Sequence, residues 1–275
     1  MQVRARGGLA ALITAALAVP FGIGAGAAAG SIEIAPHRAV YDLTLAHASS
    51  NSEIADVNGV MTFEWADTCA GWTVDQRSAM TFVYSTGEEV KLAWTLASWE
   101  AKDGLSYRFF VRQLQSGEVK QTFRGEAKLD GPGKGGVATY SIPEGLTVTL
   151  PPGTMLPTAH SLRLLEAGAA GTKTVWAYLF DGTDEAGLFG VGAVMGPSRV
   201  VPDRAPLVSS PLTAGPTRLM SVAYFAATGQ AAEPEQEQTL EIHDNGVVDF
   251  LLLDYGDFQV TARLSEIEGL SRPDC

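Results

Sequence analysis

The sequence has few cysteines and few basic residues. Only 2 of the 275 residues are cysteine, which excludes a scaffold held together by several disulfide bonds. Lysine and arginine together number 19 against 31 aspartate and glutamate residues, so the formal net charge is −12. Contacts with nucleic-acid phosphates or with an anionic membrane require clustered lysine and arginine. This balance therefore argues against both kinds of partner.

Apolar runs long enough to span a membrane are absent after residue 30, and the segment before it has the layout of a secretory signal peptide. Arg4 and Arg6 form a short positive region, residues 7–30 carry no charge, and Ala-x-Ala cleavage sites fall within residues 25–29. The alternative is an uncleaved membrane anchor, because an uncharged stretch of this length can cross a bilayer. We expect cleavage and export to the periplasm, which leaves 17 basic and 31 acidic side chains, a charge of −14.

The two cysteines, Cys69 and Cys275, lie 206 residues apart. Because exported proteins retain disulfide bonds, we predict that the two residues pair and tie the end of the sequence to the body of the fold. In the chain-entropy estimate, closing a loop of this length stabilises a fold by up to about 5 kcal/mol. Free thiols or an intermolecular bridge are the alternatives that the spacing leaves open.

Apolar and polar residues alternate with a period of two over most of the chain after residue 35, as expected for half-buried strands. In residues 118–129, Val119, Phe123, Ala127 and Leu129 share one face, and charged residues occupy the other. Similar segments are 38–46, 57–66, 71–84, 89–99, 105–115, 136–142, 146–150, 172–181, 188–195, 217–226, 237–244, 247–253 and 257–268. Tight-turn dipeptides separate several of them, namely Asp103-Gly104, Ser116-Gly117 and Asn245-Gly246. The pattern predicts an all-β protein with roughly a dozen antiparallel strands in a barrel or sandwich-like sheet.

One helix and one long loop interrupt this pattern. Helical spacing of leucines predicts a helix over 158–168, with Thr158 as its N-terminal cap. It joins two strand-rich halves, 34–150 and 172–275, which we expect to share one sheet in a single domain over 31–275. Residues Pro197 to Pro216 contain five prolines, which predict a loop that ends the preceding strand at Pro197.

Motifs for catalysis, metal binding and cofactor binding are missing. The four histidines lack metal-ligand spacing, and the sequence has no G-x-S-x-G elbow, P-loop or dinucleotide-binding glycine motif. Asp181-Gly182-Thr183-Asp184-Glu185 resembles half of a calcium loop, and Asp254 and Asp257 form a carboxylate pair around Tyr255-Gly256. Both segments are explained more simply as turns. We therefore expect no metal, no cofactor and no enzymatic activity, and a hydrolase with an unrecognised site is the remaining alternative.

Aromatic residues on one face of the predicted sheet are the strongest remaining feature. In the predicted strands 71–84, 89–99 and 105–115, the alternation of side chains places five aromatic residues on the same face, namely Trp72, Phe82, Trp94, Tyr107 and Phe109. A curved antiparallel sheet with such a face can pack against itself as an ordinary core. Alternatively, it can enclose a cavity for a ligand.

Several short motifs together resemble the periplasmic cell-envelope integrity proteins of the EipB type. The matching stretches are Pro36-His37-Arg38-Ala39-Val40-Tyr41-Asp42-Leu43, Asn58-Gly59, Cys69 with Gly71-Trp72, Phe180-Asp181-Gly182, Leu253-Asp254-Tyr255-Gly256-Asp257-Phe258, and Cys275. The resemblance spans about residues 34–275 and is weaker over 186–216. It implies a highly twisted spiral or half-barrel sheet of about fourteen antiparallel strands with one central helix. It also implies a Cys69–Cys275 disulfide.

The same resemblance implies a role in maintaining the cell envelope under stress. It further implies a shape similar to periplasmic lipid and lipoprotein carriers, and a tetratricopeptide-repeat protein as a partner. Our first hypothesis is therefore a non-enzymatic periplasmic protein that binds a protein partner or an amphipathic ligand such as a lipid or lipoprotein. The second is an interaction module without a small ligand, which would use the exposed side of 118–129 and the Pro197–Pro216 loop.

Overall fold

Within the residues that the structure describes, the chain folds into one continuous β-sheet and one helix. The computed structural model describes residues 32–199, 208–227 and 233–275, so the predicted signal peptide, residues 1–30, lies outside the described residues. The elements are β1 (His37–Ala48), β2 (Ile54–Asp67), β3 (Gly71–Tyr84), β4 (Glu89–Ala101), β5 (Ser106–Gln115), β6 (Glu118–Leu129), β7 (Gly136–Ile142), β8 (Thr147–Leu150), β9 (Thr154–Met155), α1 (Pro157–Ala169), β10 (Thr174–Phe180), β11 (Leu188–Arg199), β12 (Thr217–Ala226), β13 (Gln236–His243), β14 (Val248–Asp254) and β15 (Phe258–Gly269). In this part of the chain, no helix is both long and apolar enough to cross a membrane.

The sheet is built outward from a central pair formed by its first and last strands. Its order is β8-β7-β6-β5-β4-β3-β2-β1-β15-β14-β13-β12-β11-β10-β9, with every pair antiparallel except the parallel β9–β10 pair. The edge strands β8 and β9 are joined by only three residues, 151–153, so the two edges meet and the sheet is nearly closed. The predicted all-β class, the antiparallel pairing and the sharing of one sheet by both halves are confirmed. The additional strand β9 has only two residues, too few to produce an alternating pattern.

Most buried apolar side chains point to one side of the sheet, the inner face. Cross-strand partners share a face, and the register aligns Trp72 with Glu100 and Glu100 with Tyr107. Four clusters fill this side: cluster 1 with Tyr107, Phe109, Tyr140 and Phe180; cluster 2 with Tyr41, Leu43, Phe82 and Val260; cluster 3 with Leu164, Val191 and Met220; and cluster 4 with Ile34, Trp65, Trp72 and Leu165. Val119 is an exception to the predicted pattern. It is 48% exposed because the register of β5 and β6 shifts beside it.

Helix α1 packs on the inner face, and its N-terminus is held by a side chain from β4. The backbone N–H groups of Thr158 and Ala159 donate to the Glu100 carboxylate at 2.6 and 2.8 Å. Glu100 is buried, which raises its pKa to about 7, and the bonds from Thr158 and Ala159 oppose that rise. The predicted cap by Thr158 is wrong. The residue before the helix, Leu156, makes no side-chain cap, and the distant Glu100 accepts these N–H bonds instead.

Strand β11 continues past Pro197 to Arg199, so the prediction that Pro197 ends this strand is also wrong. The register of β11 with β12 shifts between Met195 and Ser198, and this irregularity accommodates a residue that cannot donate a backbone hydrogen bond. Residues 200–207 of the predicted loop lie outside the described ranges.

The predicted disulfide is present between Cys69, in the β2–β3 turn, and Cys275, with a Cα–Cα distance of 5.7 Å. The segment that leads to Cys275 also bonds to residues before β1. Arg272 pairs with Glu33 at 2.7 Å and donates to the Ile34 carbonyl, and Leu270 donates its N–H to the Pro36 carbonyl. The two ends of the described chain are therefore held together beside the central strand pair.

We expect Cys69→Ala to lower the free energy of unfolding by up to about 5 kcal/mol, because the unfolded chain loses a constraint on a loop of 206 residues. Chemical unfolding with and without reductant measures the effect. Reductant should lower the stability of the wild type and leave that of the variant unchanged. Equal melting of wild type and variant under oxidising conditions would contradict a stabilising disulfide.

We expect Glu100→Gln to lower the free energy of unfolding by about 1–3 kcal/mol, because the amide presents an NH₂ group to one of two buried N–H donors. Urea unfolding at about pH 4.5, where the contribution of Glu100 is fully present, measures this loss. Glu126→Gln is the matched control, since Glu126 is an exposed strand residue and its change should stay within about 0.5 kcal/mol.

The difference in free energy of unfolding between wild type and Glu100→Gln should also depend on pH. Folding raises the pKa of Glu100 from 4.5 to about 7 through burial, so the folded state binds this proton more tightly than the unfolded state. The contribution of Glu100 to stability is therefore full below about pH 4.5 and decreases as the pH rises to about 7. The stability difference between wild type and Glu100→Gln should narrow over this window, and a widening difference would contradict the raised pKa.

Candidate functional site

The loop between β10 and β11, residues 181–187, is docked onto the aromatic side chains of the first half of the sheet. The Tyr107 hydroxyl donates to the Asp181 carbonyl at 3.2 Å, and the Tyr140 hydroxyl donates to the Asp184 carbonyl at 2.8 Å. Phe180 completes the contact, with its ring 5.7 Å from that of Phe109. The second half of the sheet is thus joined to the first through a buried aromatic cluster in addition to strand pairing.

Gly182 is required at the centre of this contact for two reasons. Its φ of +71° lies in the left-handed region, and a Cβ atom would lie 2.6 Å from the Phe109 ring. The Phe180-Asp181-Gly182 motif therefore packs the β10–β11 loop against the first half of the sheet. The Asp181 carboxylate accepts bonds from the Thr183 N–H and hydroxyl at 2.9 and 2.8 Å, which shapes the turn.

Asp181 and the half calcium loop around it do not form a ligand cluster. Burial raises the pKa of Asp181 to about 6, against the opposing bonds from Thr183. Over residues 32–199, 208–227 and 233–275, no group of three or more His, Cys, Asp or Glu side chains is placed to hold a metal ion.

The motif in β1 has structural contacts along its length. His37 donates from Nδ1 to the Ala35 carbonyl at 2.7 Å, and burial lowers its pKa. Arg38 pairs with Glu64 on β2 at 2.6 Å. Tyr41 donates its hydroxyl to the Val248 carbonyl at 3.0 Å. Asp42 is exposed on the opposite side of the strand.

Asp254 and Asp257 form the turn between β14 and β15. The Gly256 N–H donates to one Asp254 oxygen at 2.8 Å, and the Gln259 amide donates to the other at 2.7 Å. Tyr255 stacks on Phe258 with ring centroids 5.0 Å apart. A cleft of about 240 Å³ beside Asp254 is lined by neither Asp257 nor a histidine. The two carboxylates therefore do not converge with a histidine on this cleft.

The five predicted aromatics all lie on the inner face but belong to different clusters. Tyr107 and Phe109 are in cluster 1, Phe82 is in cluster 2, and Trp72 is in cluster 4. Trp94 is only half-buried at the border of cluster 1. Most of these residues are ordinary core, and the structure does not bring the five together around one cavity.

Trp94 belongs instead to a half-buried apolar patch between clusters 1 and 2, the inner patch, which contains Met80, Leu92, Trp94 and Leu96. Its cross-strand neighbours are uncharged polar residues, since Trp94 pairs with Ser78 and Gln113. Half-buried leucine and tryptophan on the inner side of a sheet leave apolar surface accessible beside hydrogen-bonding groups. This combination is typical of sites for amphipathic ligands.

Two residues that were not predicted from the sequence are Glu100, which holds the helix, and Tyr140, which holds the closing loop. The sequence signal that could have identified them is the alternation of buried and exposed positions along each strand. Glu100 lies on the same side of β4 as Leu96 and Trp94, and a carboxylate on an apolar face requires a buried partner. Tyr140 shares the buried parity of β7 with Ala138.

We expect Gly182→Ala to be more destabilising than Gly256→Ala. Both glycines have positive φ, and an added Cβ has free space only at Gly256. The control should lose about 1–2 kcal/mol from backbone strain, and Gly182→Ala a further 1–3 kcal/mol or so from overlap with Phe109. Urea unfolding measures both losses. Equal losses would show that the loop does not depend on close contact with this ring.

Comparison with known proteins identifies the family to which the chain belongs. The family model described as EipB-like matches residues 28–271. The cell envelope integrity protein EipB of Brucella abortus (strain 2308) is 30% identical over 248 residues, which cover 89% of this chain and 88% of that protein.

A solved structure has the same fold. It is the crystal structure of a beta-barrel-like protein of the domain of unknown function DUF1849 from Brucella abortus. The two chains superimpose with a TM-score of 0.81 at 27% identity, over 87% of this chain and 100% of that one. Together with the match of the family model over nearly all of residues 31–275, this likeness places the chain in the EipB-like family.

Proposed function

We propose that this chain is an exported, non-enzymatic periplasmic protein that supports cell-envelope integrity by binding an amphipathic ligand, such as a lipid, at the inner patch. A role in envelope integrity is supported by the name of the relative from Brucella abortus. The proposal of ligand binding depends on one observation: on the inner face, Met80, Leu92, Trp94 and Leu96 are only half-buried. Apolar side chains on this side would be fully buried if the interior were completely packed.

The chemistry around the patch indicates the kind of ligand. Gln76, Ser78 and Gln113 are half-buried on the same face and offer amide and hydroxyl groups without charge. An apolar chain would contact the leucines and Trp94, and a polar group would bond to the amides. A lipid or the acyl chain of a lipoprotein has both parts.

The non-enzymatic part of the proposal is supported by the burial of three of the four histidines, the fourth, His47, being exposed. His37, His160 and His243 are 1–4% exposed, and His243 contacts Asp249 at 3.1 Å within the core. Burial lowers the pKa of His160 to about 4 and keeps its ring neutral. A general base for hydrolysis needs contact with the substrate, which these three rings do not offer.

A protein partner, including a tetratricopeptide-repeat protein, is a separate part of the family resemblance. It is compatible with ligand binding because the inner patch leaves the opposite face of the sheet free for contacts. The ligand hypothesis is the one that the side chains of the inner patch favour.

The test uses protein exported to a bacterial periplasm and purified without detergent. We expect native mass spectrometry and lipid extraction to recover a bound lipid, and a dansyl-labelled fatty acid to bind the delipidated protein. Leu92→Gln combined with Leu96→Gln should weaken binding of this probe at least about tenfold, because two apolar contacts are lost.

Leu114→Gln is the matched control, because Leu114 is a half-buried leucine opposite Ala93 on the other face of the sheet. It should leave probe affinity within about twofold of wild type. Thermal melting establishes that each variant is folded. Absence of both co-purified lipid and probe binding, or equal weakening by the control, would contradict the proposal.

A further inference from the structure

The outer face of the sheet, opposite the inner patch, carries an open cleft with arginine and aromatic side chains. The cleft has a volume of about 680 Å³ and spans β4 to β7, with Trp99, Arg108, Phe110 and Arg124 in its lining. The register pairs Trp99 with Arg108 and Phe110 with Arg124, so these four side chains share the outer face. Arg112 lies four residues beyond Arg108 on the same side of β5.

Each of the two arginines in the cleft lies over an aromatic ring. The Arg108 guanidinium carbon is 5.3 Å from the ring centroid of Trp99, and that of Arg124 is 5.0 Å from the ring centroid of Phe110. Stacking holds a guanidinium plane in position and leaves its N–H groups free to bind an anion. The rings therefore pre-organise the two charges.

The three arginines, which we call the arginine row, have no anionic partner within the described ranges. Their side chains make no hydrogen bond or ion pair with residues 32–199, 208–227 or 233–275. A carboxylate does lie beside the row, since Glu126 is opposite Arg108 in the register and also lines the cleft. It is paired with Lys128 at 3.1 Å, as Asp75 is paired with Arg77 at 2.9 Å. Three unpaired positive charges thus lie on one face of a chain whose net charge is −12.

The spacing of the arginine row matches an extended peptide. Arg108 and Arg112 are about 14 Å apart along β5, and Arg124 on β6 lies opposite Phe110, midway between them. The three charges therefore succeed one another at intervals of about 7 Å along the strand direction. Alternate residues of an extended chain have the same spacing, so carboxylates at positions i, i+2 and i+4 would meet one arginine each.

We propose that the arginine row binds an extended acidic segment of a partner protein, with carboxylates on alternate residues. A single phosphate would reach only one guanidinium of the row. An anionic membrane is a broad surface that would also face the acidic residues of a chain whose net charge is −12, whereas a single extended segment can contact the arginines alone. This interaction uses the face opposite the inner patch, so it does not depend on ligand binding there.

The test is an NMR titration of the exported protein, followed through the Trp99 indole N–H and the arginine side-chain signals. The probe is the heptapeptide acetyl-Thr-Glu-Thr-Glu-Thr-Glu-Thr-amide. Its control, acetyl-Thr-Thr-Glu-Glu-Glu-Thr-Thr-amide, has the same composition with the charges adjacent. We expect the alternating peptide to bind at least about threefold more tightly and to lose affinity as salt is raised.

The combined variant Arg108→Gln, Arg112→Gln and Arg124→Gln should weaken binding of the alternating peptide about tenfold or more, since each exposed charge pair contributes roughly two- to fivefold. Arg77→Gln, Lys120→Gln and Lys128→Gln together make the matched control. They remove three positive charges that are already paired with carboxylates nearby. This control should change affinity by less than about threefold.

Three results would overturn the proposal: equal affinity for the two peptides, equal weakening by the two triple variants, or no shift of the Trp99 signal at saturating peptide. Binding of phosphatidylglycerol vesicles that depends on the arginine row, without peptide binding, would also overturn it and assign the site to membrane phosphates. The lipid-probe assay at the inner patch should be unchanged in both triple variants, so failure of one proposal is distinguishable from failure of the other.

Discussion

The pairing of β1 with β15 is the interaction on which the rest of the architecture depends. It runs from His37 opposite Gly269 to Ala48 opposite Phe258 and converts two strand-rich halves into one ladder of hydrogen bonds. On its inner side, Tyr41 and Leu43 pack with Val260 and Leu264, so the same pairing also nucleates cluster 2. The bonds of Arg272 and the disulfide then secure the residues that follow β15. Without this central pair, the sheet would be two separate pieces with four edges.

The sequence-based predictions succeeded where the physical signal is local. Alternation reports which side of a strand is buried, and tight turns such as Asn245-Gly246 report where strands reverse, so the all-β class and most strand positions followed. The cap of α1 could not be predicted in this way, because Glu100 lies 58 residues before Thr158 and meets it only through the closure of the sheet. The continuation of β11 through Pro197 likewise depends on a register shift against β12 that has no local signature.

Prediction of the candidate sites from the sequence was limited in the same way. The Asp181-Gly182 pair was identified through family resemblance, but its role depends on contact with Phe109, which is 73 residues away in the sequence. The five aromatics were placed on the correct face by parity, whereas their division among clusters depends on the curvature of the sheet. The arginine row was not recognised, because single charges at alternate positions look like an ordinary solvated face. Its distinction lies in the position of two guanidinium groups over Trp99 and Phe110, and in the pairing of the nearby Glu126 with Lys128 instead of with an arginine of the row.

The position of β1 between β2 and β15 also determines the order in which the strands can pair during synthesis. As the chain emerges, β1 finds β2 soon after it, but its other edge and the apolar side chains of Tyr41 and Leu43 remain open until β15 is available. Contacts that span more than 200 residues form slowly, and an open strand edge in the meantime favours association with other chains. A partly emerged chain is thus the form most exposed to misassembly. Cys69, which is made early, can reach its only partner after the final strand has been added.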